Sequence, residues 1–317
     1  QLNMKESFYK LNSTISKKVN RDIKGTLGLG LSYTTNENGV DTLDIEKRRL
    51  NFRIRPGVEY AKGKSVFGGA INAVVSNANK ENHYLFIYPQ LYLRHALIKD
   101  ELNLFANLTG DIKEYTYKEL YSINPFIGEK GYLQNETTSW QIKGGVNGKI
   151  SPKSNFYLEL GLKKMSNMLL LVNNRDSFNR FSPVASSGNV TFVKANVDYS
   201  ILKKIRFGLG VNFSDYNFDS YGLPTLVLDA FGQYKLGDKI MAKASITSVG
   251  SREQYDFVNN QEVTLLPYTD LSLGLEYFYK KFSVFVQGNN LLGKSYERYY
   301  NYDSYGLNIV GGLTARF

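Results

Sequence analysis

With two histidines and no cysteine in 317 residues, the side chains most often used for transition-metal binding and proton transfer near neutral pH are scarce. His83 and His95 are spaced as residues at different heights of one strand-built wall, so neither a metal site nor histidine-based catalysis is expected. Gly63, Lys64 and Ser65 could close a phosphate loop, but Val58 stands where the first glycine of that pattern belongs, and a tight turn is the simpler reading. Gly25, Gly28 and Gly30 lie along or at the start of a strand and do not make a dinucleotide fingerprint. Asp229 and Glu276 could work as an acid and base pair, yet no nucleophile is spaced to serve them, and carboxylates on a wetted wall pair with nearby Lys and Arg. No enzyme activity and no cofactor are expected.

The most informative charged groups are basic. Arg49, Arg53, Arg55, Arg94 and Arg206, joined by Lys143, Lys149, Lys163, Lys194, Lys235, Lys243 and Arg316, all fall on one parity of their segments. They outnumber Glu59, Glu159, Asp198, Asp229, Asp270 and Glu276 on the same parity. Such a surface hydrates and cross-links a polar interior; it also suits an interior that favours anions, or one that docks an acidic plug.

The elements that hold these residues are strands of period two. In the final segment YGLNIVGGLTARF, Tyr305, Leu307, Ile309, Gly311, Leu313, Ala315 and Phe317 share one face, and Asn308, Val310, Gly312, Thr314 and Arg316 the other. Leu50, Phe52, Ile54, Val58 and Tyr60 alternate with Arg49, Arg53, Arg55 and Glu59; Ile205, Phe207, Leu209, Val211 and Phe213 alternate with Arg206, Gly208, Gly210 and Asn212. The polar faces carry too much charge for a dry core, and the apolar faces suit lipid. The fold class expected is all-β, an antiparallel transmembrane β-barrel of about fifteen strands forming one domain over 1–317. Trp140, Leu160, Leu209, Leu228 and Leu273 should face lipid.

Composition agrees. There are 24 Tyr, 19 Phe and 28 Gly against 7 Pro and 1 Trp, which favours strands. The mean hydropathy of −0.32 is what half-lipid, half-lumen strands average to. No apolar run reaches the eighteen residues or so of a helical span, which leaves a closed barrel as the spanning structure. The formal charge of +10 is dispersed over strands and turns, not clustered with stacking aromatics, and nucleic acid is not an expected partner.

Connections alternate between short and long. Outer-membrane barrels keep short turns in the periplasm and long loops outside, so the last strand should descend to a periplasmic Phe317. By the same count the first strand also descends. An odd count and an outside N-terminus are both unusual, and the expectation is that this chain is the C-terminal part of a larger, even-numbered barrel, a strand count off by one being the alternative. The stretches 113–138 and 167–188 read as long outside loops carrying Tyr121, Pro125, Phe126, Tyr132, Phe178 and Phe181. Apolar groups so placed should fold over the lumen or meet a partner, and they are the candidate recognition residues.

Asn290, Leu291, Leu292, Gly293 and Tyr296, in NNLLGKSYERYY before the final strand, resemble the end of TonB-dependent receptors. The loop with Asn124, Pro125 and Phe126 is similar to receptor-like barrels of Bacteroidota. Gly312 and Phe317 resemble the C-terminal signal read by the outer-membrane assembly machinery, although Val310 and Ala315 depart from it. The resemblance implies a barrel in the outer membrane of a Gram-negative bacterium that binds or imports a ligand through its loops. Its implied partners are outer-membrane lipid, the assembly machinery, and a TonB-type energy transducer or other outer-membrane and surface proteins. Two further roles fit the same lipid face: a structural subunit of an assembly, secretion or surface-protein complex, and a diffusion porin. No plug or TonB box is recognisable in the chain.

Overall fold

The computed structural model describes residues 5–37, 48–77, 84–99, 101–128, 135–174, 177–201 and 204–316. Its strands are β1 (Lys5–Lys18), β2 (Ile23–Glu37), β3 (Arg48–Lys62), β4 (Ser65–Ser76), β5 (Tyr84–Ile98), β6 (Leu102–Lys113), β7 (Glu136–Ser151), β8 (Ser154–Asn174), β9 (Ser177–Ile201), β10 (Ile205–Tyr216), β11 (Leu226–Leu236), β12 (Ile240–Val249), β13 (Arg252–Asp256), β14 (Gln261–Leu265), β15 (Tyr268–Tyr279), β16 (Phe282–Asn289), β17 (Glu297–Tyr299), β18 (Tyr302–Asp303) and β19 (Asn308–Ala315). One helix, α1 (Tyr117–Ile123), interrupts them. β1 to β12 followed by β15, β16 and β19 form one sheet of fifteen strands, each antiparallel to its neighbours; β13–β14 and β17–β18 are separate hairpins. Among the described residues, β1 and β19 each pair on one side only.

The register joins like to like. Leu209 pairs with Val197 and Ala230, and Leu273 with Ala244 and Gly288, so apolar side chains form continuous rows across the sheet. These rows are open: Leu209 is 55% exposed, Leu160 58% and Leu273 49%. A band of that extent left to water would drive aggregation, whereas lipid satisfies it. Trp140 keeps the same side, opposite Lys164, despite the register shift beside it. No helix is long and apolar enough to cross a membrane. The expected barrel-type sheet is therefore present, with fifteen strands.

The opposite face is polar, and the small hydrophobic core lies at the end with long connections. One cluster joins Val74, Tyr88 and Ile112; the other joins Tyr115, Tyr117, Leu120 and Ile127 with Leu169 and Leu171 beside them.

One expectation about the loops changes. The stretch 167–188 is not a loop: β8 and β9 stay paired from Ser154–Tyr199 up to Asn174–Ser177, with shifts near Met165/Met168 and Asn173/Asn174. Alternation disappears there because both faces are covered. Leu170 and Val172 are buried on one parity and Leu169 and Leu171 pack on the other, giving the apolar run Met168–Val172. The connections at 250–265 and 291–304 also hold ordered hairpins, β13–β14 and β17–β18.

Candidate functional site

The chain turns into the mouth at Gly110. The β6–β7 register shifts between Thr109 and Asp111, and a Cβ at Gly110 would sit 2.7 Å from the Tyr88 ring and 2.8 Å from the Ser139 carbonyl oxygen. Only glycine permits that approach. The segment that follows, Asp111–Thr116, forms a strap against the inner wall of β1–β5, its first three residues still paired with β7 through Asp111–Thr138, Ile112–Thr137 and Lys113–Glu136. Asp111 accepts from Arg53 Nη2 at 2.6 Å and from Asn72 Nδ2 at 3.1 Å, with Arg55 Nη2 at 3.9 Å. Ile112 enters the pocket of Val74 and Tyr88. Glu114 accepts from the Ser32 hydroxyl at 2.6 Å and the Thr34 hydroxyl at 2.7 Å.

Arg49 pins the end of the strap. It is 1% exposed, donates from Nη2 to the Tyr115 carbonyl at 2.8 Å, and has Glu6 Oε1 at 4.0 Å. A buried guanidinium needs such partners to remain charged without a large penalty. The Tyr115 hydroxyl donates to Glu136 at 2.9 Å; burial, reinforced by that carboxylate, pushes its pKa well above the usual phenol value.

Helix α1 begins with a capping box. The Thr116 side chain accepts from the Glu119 amide, and the Glu119 side chain accepts from the Thr116 amide. Glu6 takes the amides of Tyr117 and Lys118 at 3.0 and 3.3 Å, tying the helix to β1. Leu120 and Tyr117 are the buried helix residues, and burial raises the Tyr117 hydroxyl to about 12. After the helix, Asn124 Oδ1 accepts from the Phe126 amide, folding Asn124–Pro125–Phe126 into a turn. The chain then bridges β9: the Phe181 amide donates to the Phe126 carbonyl, and the Gly128 amide to the Phe181 carbonyl.

Phe126 and Phe181 meet an aromatic pair from the far end of the sequence. Phe126 stacks on Tyr302 with centroids 3.5 Å apart, and Phe181 lies edge-on to Tyr299 at 6.2 Å. The Tyr299 hydroxyl donates to the carbonyl of Ile123. The hairpins brace one another: Arg252 donates to the carbonyls of Glu297 and Arg298, Gln254 to that of Leu171, and Tyr300 to Asp256. Together these connections form a canopy linking the β6–β7 side of the sheet to the β16–β19 side.

The Asn290–Tyr296 motif supports the canopy. Asn290, at φ 49°, donates from Nδ2 to the carbonyls of Lys294 and Tyr305, while Gly293 has φ 64°. The Tyr296 ring stacks on Tyr268 at 4.0 Å and its hydroxyl reaches Asp270 at 2.7 Å; burial, then that carboxylate, raises it to about 12.

Elsewhere on the inner wall several charges are paired. Lys143 meets Glu159 at 2.8 Å, Lys243 meets Glu276 at 3.1 Å, and Arg206 meets Asp198 at 3.4 Å. Arg94 stands exposed on β5, opposite Val66 and Phe105, far in sequence register from the strap. Gly312 has a local role of its own, since a Cβ there would press 2.6 Å from the Phe285 ring. Ser65 Oγ and His95 Nδ1 are 2.8 Å apart, and Gly63 and Lys64 form the β3–β4 turn.

Of the expected recognition residues, the structure thus unites Phe126 and Phe181 in the canopy and leaves Tyr121 and Pro125 exposed on it. Tyr132 and Phe317 lie outside the described residues, as does the side chain of Phe178. Of the basic residues, Arg49, Arg53 and Arg55 gather under the strap, while Arg94 and Arg206 do not. Sequence reading missed Asp111, Glu114, Arg252, Asp256, Tyr299 and Tyr302. The Thr116–Glu119 spacing was the one signal that could have revealed α1.

No family model and no curated relative matches this chain. Solved structures do. The chain aligns with the FrpB iron transporter of Neisseria meningitidis at TM-score 0.72 and 10% identity, over 99% of this chain and 55% of that one. The siderophore receptor PirA of Acinetobacter baumannii gives 0.72 and 11%, over 100% and 55%. Copper transporter OprC gives 0.70 and 13%, over 100% and 57%. The chain spans a little over half the length of these proteins, and at such identity the likeness is one of fold.

Proposed function

We propose that the chain is the barrel wall and mouth of an outer-membrane receptor of the TonB-dependent type, which receives a ligand from outside and imports it. The observation that carries this reading is the canopy: fifteen lipid-belted strands in the same fold as metal transporters and a siderophore receptor, with ordered outside connections crossing the mouth. Rigid frames concentrate recognition on such loops. The reading includes earlier strands completing the barrel, since unpaired backbone is not tolerated in lipid. It also includes a TonB-type transducer as partner and assembly through the C-terminal signal containing Gly312 and Phe317. The Bacteroidota-type variant rests on the sequence resemblance alone. A gene-deletion strain complemented with the full protein tests it: uptake of a chelated metal or other scarce nutrient should depend on the protein and on the transducer. Uptake unchanged by deletion for every nutrient screened would remove the import reading.

A second reading has its own support. Tyr121, Ile123 and Pro125, close in sequence on α1 and the turn after it, are all exposed, as a docking site for another surface protein requires. A scaffold barrel would hold such a partner through detergent extraction. A canopy-covered mouth suits a simple diffusion pore least.

A further inference from the structure

We propose that the inner wall beneath the strap is a binding site for a small polyanion, a ligand with two or more carboxylate or phosphate groups, and that Asp111 and Glu114 occupy it from within the chain. The proposal deepens the reading of a ligand-receiving barrel by naming the ligand's chemistry.

The wall offers what carboxylates and phosphates bind. Arg53 and Arg55 supply guanidinium donors, and Ser32 and Thr34 supply hydroxyls. At present the strap's carboxylates take them: Asp111 holds Arg53 at 2.6 Å, and Glu114 holds Ser32 at 2.6 Å and Thr34 at 2.7 Å. Among the described residues these two acids are the only carboxylates in those contacts, and both follow the β6–β7 register shift at Gly110.

The wall has more donors than the strap uses. Arg49 is 1% exposed, yet its Nε and Nη1 face no acceptor among the described residues; Arg53 Nε and Arg55 Nε are in the same condition. Buried donors left unmade are costly, and a ligand with more acceptor oxygens than two carboxylates relieves that cost. A cavity of about 470 Å³ lies alongside, where Lys10, Arg53 and Lys113 face the carboxylates Asp111, Glu114, Glu119 and Glu136. That volume is in the range of small-ligand sites. The strap therefore acts as an internal competitor, and a polyanion that displaces it frees the mouth on the β1–β3 side.

The test uses the full chain in detergent, with Tyr121→Cys carrying a spin label on the exposed side of α1; the chain has no cysteine of its own. Citrate and tripolyphosphate are titrated separately at fixed ionic strength, with calorimetry in parallel. Each should raise label mobility to saturation, and the one acting at lower concentration identifies the favoured group. Asp111→Asn with Glu114→Gln should lower the half-saturating concentration about tenfold, because competition is removed. Arg53→Gln should raise it about tenfold, and if that variant does not fold, Ser32→Ala with Thr34→Ala should raise it in the same direction. No saturable response to either anion, an equal response to sodium chloride, or an unchanged midpoint in the Asp111/Glu114 variant would overturn the proposal. Uptake is not the readout, so failure here is distinguishable from failure of the import reading.

Discussion

Arg53 on β3 and Asp111 at the end of β6 meet at 2.6 Å although two strands lie between theirs in the sheet. The contact exists because β6 parts from β5 after Leu108 and, still paired with β7 up to Lys113, leans over β3 and β4 beyond the register shift at Gly110. Both side chains keep partial access to water, so the pair itself adds only about 0.5 to 1 kcal/mol after screening. Asp111→Asn should leave global stability nearly unchanged. Hydrogen exchange at Ile112–Tyr115 should nevertheless rise, and protection equal to that of the parent would show that the pair does not hold the strap.

Gly110→Ala is the sharper perturbation. Its Cβ would meet the Tyr88 ring and the Ser139 carbonyl, the latter a backbone atom that cannot rotate away. The expected result is a barrel that still shows heat-modifiable migration but whose residues 111–128 become open to protease. A parent-like cleavage pattern would mean that the bend forms without glycine.

The lipid and lumen faces should respond oppositely to charge. Leu209→Arg or Leu273→Arg should cost about 2 to 4 kcal/mol near the bilayer centre, while Arg206→Gln, which loses an exposed 3.4 Å contact to Asp198 and a cation–π contact 5.4 Å from the Phe231 ring, should be tolerated. Refolding titrations into lipid vesicles measure this, and equal losses on both faces would contradict the register.

These faces were legible in the sequence because period two survives wherever lipid lies on one side and water on the other. Leu209 and Arg206 could be assigned from their neighbours alone. The signal failed above the membrane, where Leu169–Val172 is covered on both sides and the strand extension reads as a loop. It failed more completely for the strap and canopy. Nothing local to Asp111 announces Arg53, and nothing near Phe126 announces Tyr302, since those contacts depend on how distant connections lean across the mouth. The Asn290–Tyr296 motif was legible as a resemblance, while its work as a turn that accepts positive φ and bonds two carbonyls became visible only in three dimensions.

Acid should loosen the hairpin brace. Asp256 accepts from the Asn259 side chain, the amides of Val258 and Asn259, and the Tyr300 hydroxyl; the Asn259 side-chain bond leads in holding its carboxyl below the usual aspartate value. A carboxyl depressed in the folded protein stabilises above the unfolded value and loses that contribution as pH falls through the folded one. Protection of the 256–260 turn should therefore hold from neutral pH down to about 4 and decline below it. Asp256→Asn should show the weakened brace at all pH values; loss centred near neutral pH would assign the effect to another group.

The canopy residues divide into those that pack and those that face outward, and this division separates closure from recognition. Phe126 and Phe181 are held by Tyr299 and Tyr302, whereas Tyr121 and Pro125 touch water. Phe126→Ala with Phe181→Ala removes two rings from the cluster and should unlock the link between the β6–β7 connection and the β17–β18 hairpin. Spin labels placed on the two should then move apart while the barrel stays folded. Tyr121→Ser with Pro125→Ser should leave that distance unchanged, because neither side chain takes part in the stack. If Tyr121 and Pro125 recognise a ligand, uptake should fall at least tenfold in this second variant, as the loss of an aromatic anchor does at many interfaces. If they hold a surface protein, that protein should be lost on extraction. Unchanged uptake together with unchanged co-purification would leave the exposed top of the canopy without a recognition role and shift the search to the wall beneath the strap.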